Sequence, residues 1–281
     1  MTSRANEMDP RVTVLMAVHN GERYLREAVD SILVQSFSDF EFLIIDDGST
    51  DGSAGILGDY SLRDKRLRIV KNADNIGLAA SLNRGVGLAR GVYIARMDAD
   101  DISSQLRLEK QAAFLDQNPS VSLVAAKVRT IDERGVFTGY WDDDLTCTSF
   151  AEMVRMLPER NCIAHPCVMM RSAILRDFRY GEKVKNAEDY HLWMRLVASG
   201  HRLEKIDEIL LSYRVTPASV TSTSNQSNYW FKLVAPKWHY LSWALGNLRL
   251  GSFTALVGWS LLKTVFWLPV VNLMRRKPDE P

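Results

Sequence analysis

The stretch Tyr93-Ile94-Ala95-Arg96-Met97-Asp98-Ala99-Asp100-Asp101 reads as a buried strand that ends abruptly in three carboxylates. Carboxylates crowded at a strand's end repel one another unless a cation or a donor-rich ligand sits among them. Asp98 and Asp100 offer hard oxygens, which together with oxygens of a phosphorylated substrate and water suit Mg2+ or Mn2+. A calcium loop is excluded. Asp98, Asp100 and Glu109 fit its positions one, three and twelve, but Ile102 and Ser103 stand at five and six, where a ligand and a glycine are needed. Asp101 and Ser103 can cap the helix that follows, which leaves Asp98 and Asp100 unexplained by capping.

A second acidic group lies in Asn186-Ala187-Glu188-Asp189-Tyr190-His191-Leu192-Trp193-Met194-Arg195-Leu196. At about 100° per residue, Leu192, Trp193, Leu196 and Val197 share one helical face, with Asp189 near its centre and Glu188 near its margin. A carboxylate on the inward face of a first turn either caps the helix or meets a ligand. Desolvation there raises its pKa and improves it as a proton acceptor. A third group, Asp46-Asp47-Gly48-Ser49-Thr50-Asp51, follows an apolar run. Its carboxylates can accept hydrogen bonds from a base or ribose, with Gly48 letting the backbone approach a ligand. Its plain reading is a tight turn whose Ser and Asp residues cap the next helix.

These groups need a scaffold that brings strand ends together. Val12–Val18, Glu41–Ile45, Leu67–Val70 and Gly91–Met97 read as buried strands. Gly21–Gln35, Leu78–Ala89 and Ser103–Gln117 read as helices between and after them, the last stopping before Asn118-Pro119. The alternation predicts an α/β fold, a mostly parallel twisted sheet with helices on both faces. Val121–Val128 reads as a strand continuing into a hairpin through Tyr140, Cys167–Met170 as a short strand and Asp189–Ser199 as a helix closed by Gly200. Short strands at Leu203–Ile206 and Ile209–Arg214 complete a catalytic domain over 1–215. Residues 216–228, rich in Ser, Thr and Asn, read as a linker, and 229–281 as a helical tail.

The order Val12–Asn20, Asp46–Asp51, Asn75-Ile76-Gly77 and Asp98-Ala99-Asp100-Asp101 resembles the family 2 glycosyltransferases, inverting enzymes of the GT-A fold that use nucleotide-sugar donors. The resemblance covers about residues 11–215. It implies that Val18, His19 and Asn20 border the nucleotide and that Asp47, with Asp46 beside it, reads the uracil edge. It implies that Asp98 and Asp100 form the metal-binding Asp-x-Asp motif and that Asn83 and Arg84 lie close to the donor phosphates. By the same match Asp189 is the base that takes the acceptor's proton, with Glu188 as the fallback. His165-Pro166 resembles a segment bordering the acceptor pocket. The Gln-x-x-Arg-Trp segment of processive synthases is absent, and Tyr213-Arg214 occupies that region only loosely, which favours one sugar added per encounter.

Composition narrows the partners. In 281 residues, 35 Lys and Arg nearly balance 34 Asp and Glu, so no global field marks a nucleic-acid binder. Residues 228–281 depart from that balance. They hold Lys232, Lys237, Arg249, Lys263, Arg275, Arg276 and Lys277 against Asp279 and Glu280, and five of the seven tryptophans. Interspersed aromatics and bases are the composition of a membrane interface. Ser252–Met274 is nominally long enough to span, but Lys263 and Pro269 interrupt it. The expectation is a membrane surface contacted by residues 229–277, with helices embedded in the cytoplasmic face of the inner membrane. A span, or packing on the catalytic domain, is the alternative. Cys147, Cys162 and Cys167 lack zinc-ligand spacing and read as reduced thiols, and Arg4, Glu7, Asp9 and Arg11 interrupt any secretory signal.

The sum is a metal-dependent transferase acting on a UDP-sugar and a saccharide or lipid-linked saccharide acceptor, in envelope or exopolysaccharide synthesis. A sugar-phosphate nucleotidyltransferase would need a glycine- and base-rich phosphate loop, which Met16-Ala17-Val18-His19-Asn20-Gly21-Glu22 does not supply. Asp98, Asp100 and Asp189 together argue against a non-catalytic nucleotide-sugar-binding module.

Overall fold

The computed structural model describes residues 9–184, 186–216 and 233–275. Predominantly apolar runs give strands largely buried on both faces, with the polar Thr13, Glu41 and Arg96 buried among them. β1 (Val12–Val18), β2 (Phe40–Asp46), β3 (Leu67–Lys71) and β4 (Tyr93–Met97) stand in the order β3-β2-β1-β4, all parallel, with Val12 opposite both Phe40 and Tyr93. The crossovers are α1 (Glu22–Leu33), α2 (Ser53–Arg63) and α3 (Leu78–Leu88). In α1 the buried Leu25, Ala28, Val29 and Ile32 recur at i, i+3, i+4 and i+7, so one stripe faces the sheet. Burial of each large side chain there contributes roughly 1.5–3 kcal/mol before ordering costs.

Beyond β4 the pairing changes. The chain continues through β5 (Ile102–Ser103), α4 (Arg107–Gln117), β6 (Val121–Ile131), β7 (Phe137–Tyr140), α5 (Asp142–Thr146) and α6 (Phe150–Met156). A 3-10 turn (His165–Cys167), β8 (Met169–Arg171), α7 (Ser172–Phe178), α8 (Glu188–Ala198) and β9 (Arg202–Arg214) follow. The sheet extends as β4-β8-β6-β9-β5, with β7 pairing the far end of β6 beyond the short β8. β8 is antiparallel to both β4 and β6, β5 to β9 and β7 to β6, while β6 and β9 are parallel. The sheet is therefore mixed in its pairing, not mostly parallel. The reason is β8, whose three residues slot in reverse between two blocks of longer strands that share one direction. The two short strands read at Leu203–Ile206 and Ile209–Arg214 are one strand, β9, with register irregularities where it passes Ala126–Val128.

Side-chain alternation splits the core. Val14, Met16, Phe42, Ile44 and Ala95 meet α1, α2 and α4 on one face. Leu15, Leu43, Ile45, Ile94 and Leu123 meet α3, α7 and α8 on the other. Trp193, Leu192, Leu196 and Tyr190 are all buried, because α8 is covered on its sheet side and on its outer side too. The outer cover is α9 (Ala235–Gly246), backed by α10 (Ser252–Arg275).

The tail is thus packed on the catalytic unit at least in part. Tyr240, Ala244, Phe253 and Val257 join the core around α8. Lys237, which composition assigned to a membrane interface, and Lys263, which interrupts the possible span, both point at the turn after α6. Lys237 Nζ donates to Ser260 Oγ (2.9 Å) and Glu159 O (3.2 Å), and Lys263 Nζ pairs with Glu159 at 2.7 Å. Outward, Leu256, Trp259, Leu262 and Phe266 form an exposed stripe along α10. Among the described residues no helix is long and apolar enough to cross a membrane. The segment read as a linker lies outside the described residues except for Thr216, as do Tyr229, Trp230, Lys232, Arg276 and Lys277.

Candidate active site

A cleft of about 820 Å3 opens where β1 and β4 end and runs to the first turn of α8. Val18, His19, Asn20, Asp98, Asp100, Glu188 and Asp189 all line it, as do Tyr213 and Arg214 at the end of β9 and Trp141 after β7. Parallel strands deliver their C-terminal ends to one edge, which is why residues 80 apart in sequence share this space.

The β1 edge is tied down by short polar side chains. Asn20 adopts φ 53°, a left-handed conformation that asparagine tolerates, and its Oδ1 accepts the Thr50 N–H at 2.8 Å. Its own N–H donates to Ser49 Oγ (3.1 Å), and the Gly21 N–H to Ser53 Oγ (2.9 Å). His19 Nδ1 bonds the Asp47 carbonyl at 2.8 Å. The loop Asp46–Asp51 therefore braces the cleft edge from behind.

Four residues assigned to the donor by resemblance lie outside the cleft lining, and each has a structural partner. Asp46 Oδ1 accepts the Ser49 N–H (3.0 Å). Asp47 accepts from Asn72 Nδ2 (2.7 Å), Ile76 N (2.9 Å) and Gly77 N (2.9 Å). Burial pulls the Asp47 pKa up, and these hydrogen bonds outweigh it, leaving the group below its ordinary value. Gly48, at φ 65°, lets the backbone approach Asp74 and Asn75, since a Cβ there would stand 2.7 Å from both. Asn83 clamps Tyr180 through both of its backbone groups (3.0 and 2.9 Å), and Arg84 bonds the Lys71 carbonyl and Asn72. Local spacing foretold the turn, but not the partners that occupy these side chains.

At the end of β4, ligand oxygens of Asp98, Asp100 and Asp101 come within 4.8 Å of one another. Burial, then the neighbouring Asp98, pushes the Asp100 pKa up to about 6. Burial with Asp98 and Asp100 raises Asp101 well above its ordinary range. Asp101 Oδ1 accepts the Arg214 N–H (2.8 Å), while its buried Oδ2 has no partner among the described residues. Two arginines frame the cluster. Arg96, wholly buried, pairs with Asp98. Arg214 donates to the carbonyls of Asp100 (2.7 Å), Asp132 (3.1 Å) and Glu133 (3.3 Å) and to Glu27 (2.6 Å), with its guanidinium over the Tyr24 ring. An all-oxygen donor set, crowded and short of positive charge at Asp101 Oδ2, fits a hard divalent cation.

Across the cleft, Asp189 Oδ1 accepts the Tyr190 N–H (2.7 Å) and Oδ2 accepts Asn161 Nδ2 (2.8 Å). The Asn161 Oδ1 is itself taken by the Ile163 N–H (3.2 Å), which fixes the amide orientation. Burial raises the Asp189 pKa against those two donors. Burial, then Asp189, pushes Glu188 up to about 7. His165 Nε2 lies 3.0 Å from the Tyr180 hydroxyl, its ring against Trp193, and burial holds its pKa well below the ordinary value. It is a neutral wall of the cleft. Asn161 and the roles of Arg96, Asp101 and Arg214 were missed in the sequence, because their partners are set by the tertiary fold.

A mixed sheet with a carboxylate cluster at the end of its fourth strand, facing an acidic helix start, defines a glycosyltransferase architecture of the GT-A type. The structural comparisons agree on the fold. Staphylococcus aureus TarS 1-349 in complex with UDP-GlcNAc superposes with a TM-score of 0.70 at 20% identity, covering 96% of this chain and 77% of that one. The mannosyltransferase PcManGT from Pyrobaculum calidifontis, in complex with GDP-Man and Mn2+, gives 0.62 at 17%, covering 98% and 79%. In sequence, the family model for glycosyl transferase family 2 matches residues 13–179, and the chain belongs to that family. It is 38% identical over 212 residues to glycosyltransferase MJ1057 of Methanocaldococcus jannaschii, covering 74% of this chain and 72% of that protein. It is 36% identical over 208 residues to the O-antigen biosynthesis glycosyltransferase WbnJ of Escherichia coli, covering 73% and 79%.

Proposed function

We propose that this glycosyltransferase moves a sugar from a nucleoside-diphosphate donor, a UDP-sugar, to a hydroxyl of a saccharide acceptor with inversion at the anomeric carbon. The observation that carries the reading is the cleft itself, where Asp98 and Asp100 face Glu188 and Asp189. Asp98 and Asp100 would hold a Mg2+ or Mn2+ ion, with Asp101 behind them. When bound, such an ion supplies electrostatic stabilisation to the departing diphosphate. Asp189, held by Tyr190 and Asn161, takes the acceptor's proton when in its carboxylate form, as the acceptor oxygen bonds to the anomeric carbon. The bond from that carbon to the diphosphate breaks, and its electron pair leaves with the phosphate oxygen. Displacement from the opposite side inverts the centre. Glu188 is the fallback acceptor.

The UDP-sugar rests on the likeness to TarS, and a cell-envelope acceptor on the likeness to WbnJ. We place the acceptor, a lipid-linked saccharide, at the cytoplasmic face of the inner membrane. The outward stripe Leu256, Trp259, Leu262 and Phe266 supports that placement, as does the lack of any Asp or Glu between 233 and 275. A panel of nucleotide sugars tests the donor, scored by protection against thermal unfolding with and without Mn2+ and then by transfer. The reading predicts protection by one donor, greater with Mn2+, and product of inverted configuration; protection by none overturns it.

A further inference from the structure

A second trough, of about 510 Å3, lies beside the strands that wall the cleft, and nothing in the transfer chemistry uses it. Val128, Trp141 and Tyr213 line the cleft, while their chain neighbours Arg129, Tyr140 and Ser212 line the trough. Alternation along each strand sends successive side chains to opposite faces, so the sheet partitions the two spaces. Tyr140, Arg129, Ser212 and Ile102 are register partners across β7, β6, β9 and β5, and so form one row on the trough face.

Two features give that row a ligand-binding character. The register shift in the β6–β7 pair inserts an extra residue into β7, which re-aims Phe137 to the side of Tyr140. Their rings stand edge to face at 5.2 Å and are 49% and 53% exposed, an aromatic pair left open to solvent. Next to them, the Arg129 guanidinium is oriented by donation from Nε to Ser212 Oγ (2.8 Å). Its terminal amino groups have no acceptor among the described residues, which leaves a planar fork of donors facing the trough. Ser104 adds a further polar edge.

A pyranose ring presents an apolar C–H face and a rim of hydroxyls. Exposed aromatic rings match the first, and a planar guanidinium with serine hydroxyls matches the second. We infer that this trough is a non-catalytic saccharide-binding site, engaging a sugar of the acceptor glycan on the side of the sheet away from the reacting centre. The choice of a saccharide over a peptide rests on the glycosyltransferase reading above; the site's independence from the cleft rests on the register alone.

The test is retention of the full chain on a printed array of bacterial O-antigen, capsule and exopolysaccharide fragments, in the presence of saturating UDP-sugar. Tyr140→Ala and Arg129→Ala each lower retention at least tenfold, while Asp189→Asn leaves it unchanged. Protection by the nucleotide sugar is the same in all three, and their melting curves confirm the fold. Arg129→Lys, which keeps the charge and loses the planar fork, falls between. The inference is overturned if no fragment is retained, if retention survives both alanine variants, or if UDP-sugar displaces the glycan. It is also overturned if Tyr140→Ala instead dissociates a dimer of this chain. Glycan retention without any nucleotide-sugar binding would sink the transferase reading and leave the trough standing.

Discussion

The two carboxylate groups of the cleft are treated in opposite ways by their neighbours. Asp98, Asp100 and Asp101 crowd one another, and one oxygen of Asp101 is buried with no donor among the described residues. Arg214 reaches this cluster through backbone atoms, and Arg96 pairs with Asp98. Asp189 instead has a donor on each oxygen. The first arrangement leaves negative charge to be met from outside the chain. The second stabilises an ionised carboxylate within the chain while burial keeps it basic. On the proposed reading, the donors around an acidic residue, more than its position in the fold, decide whether it serves a cation or a proton.

The largest effect should come from the proton side. Asp189→Asn keeps the shape and removes the basic oxygen, so transfer falls roughly 10²–10⁴-fold. Binding of the nucleotide sugar, measured by thermal protection, stays within twofold if the two groups are functionally separate. Loss of donor binding in that variant would merge them into one site and break the contrast.

On the cation side, Arg214→Gln removes the donors that hold the Asp100 carbonyl and the turn at Asp132 and Glu133. Residues that support metal ligands without touching the ion typically cost 10–100-fold in metal affinity. Titration calorimetry with Mn2+ should show a loss of about that size, with Arg214→Lys milder. An unchanged affinity would mean the cluster is rigid without its arginine.

How much of this could be read in advance follows from the range of each interaction. β1 through β4, α1 and α3 were legible within a few residues, since uninterrupted β-branched runs and an i, i+3, i+4, i+7 stripe are local signals. The acidic turn at the end of β4 was legible for the same reason, and so was the α8 start. α2 went unassigned because its apolar residues are few and Gly55 and Gly58 interrupt it. Asp47 was read as facing a ligand; its partners Asn72, Ile76 and Gly77 come from another turn. Lys237 looked like an interfacial base, yet Ser260 and the Glu159 carbonyl take its ammonium, and burial pulls its pKa down to about 8. Composition reports what a segment contains. It does not report which face another element has already covered.

The finest test of the contrast is at Asn161, 28 residues before Asp189 in sequence and 2.8 Å from it in space. Its amide stabilises the charged form of the carboxylate, so Asn161→Ala should raise the pKa of the acidic pair. Glu188 stands at about 7 and Asp189 above its ordinary value, both chiefly through burial, so activity should rise with pH through an apparent pKa near neutrality. The values belong to the pair and not to either residue alone. In the alanine variant that limb moves upward. Transfer at neutral pH then drops by about tenfold for each unit of displacement, and the rate recovers at alkaline pH. A purely structural role predicts something else: a lower plateau at every pH, with the limb in its original place. Mn2+ affinity provides the complementary readout and should stay constant, because Asn161 bonds nothing in the Asp98–Asp101 cluster. A shifted limb with unchanged metal binding would separate the two acidic groups by experiment. Movement of both together would show them to be one coupled network.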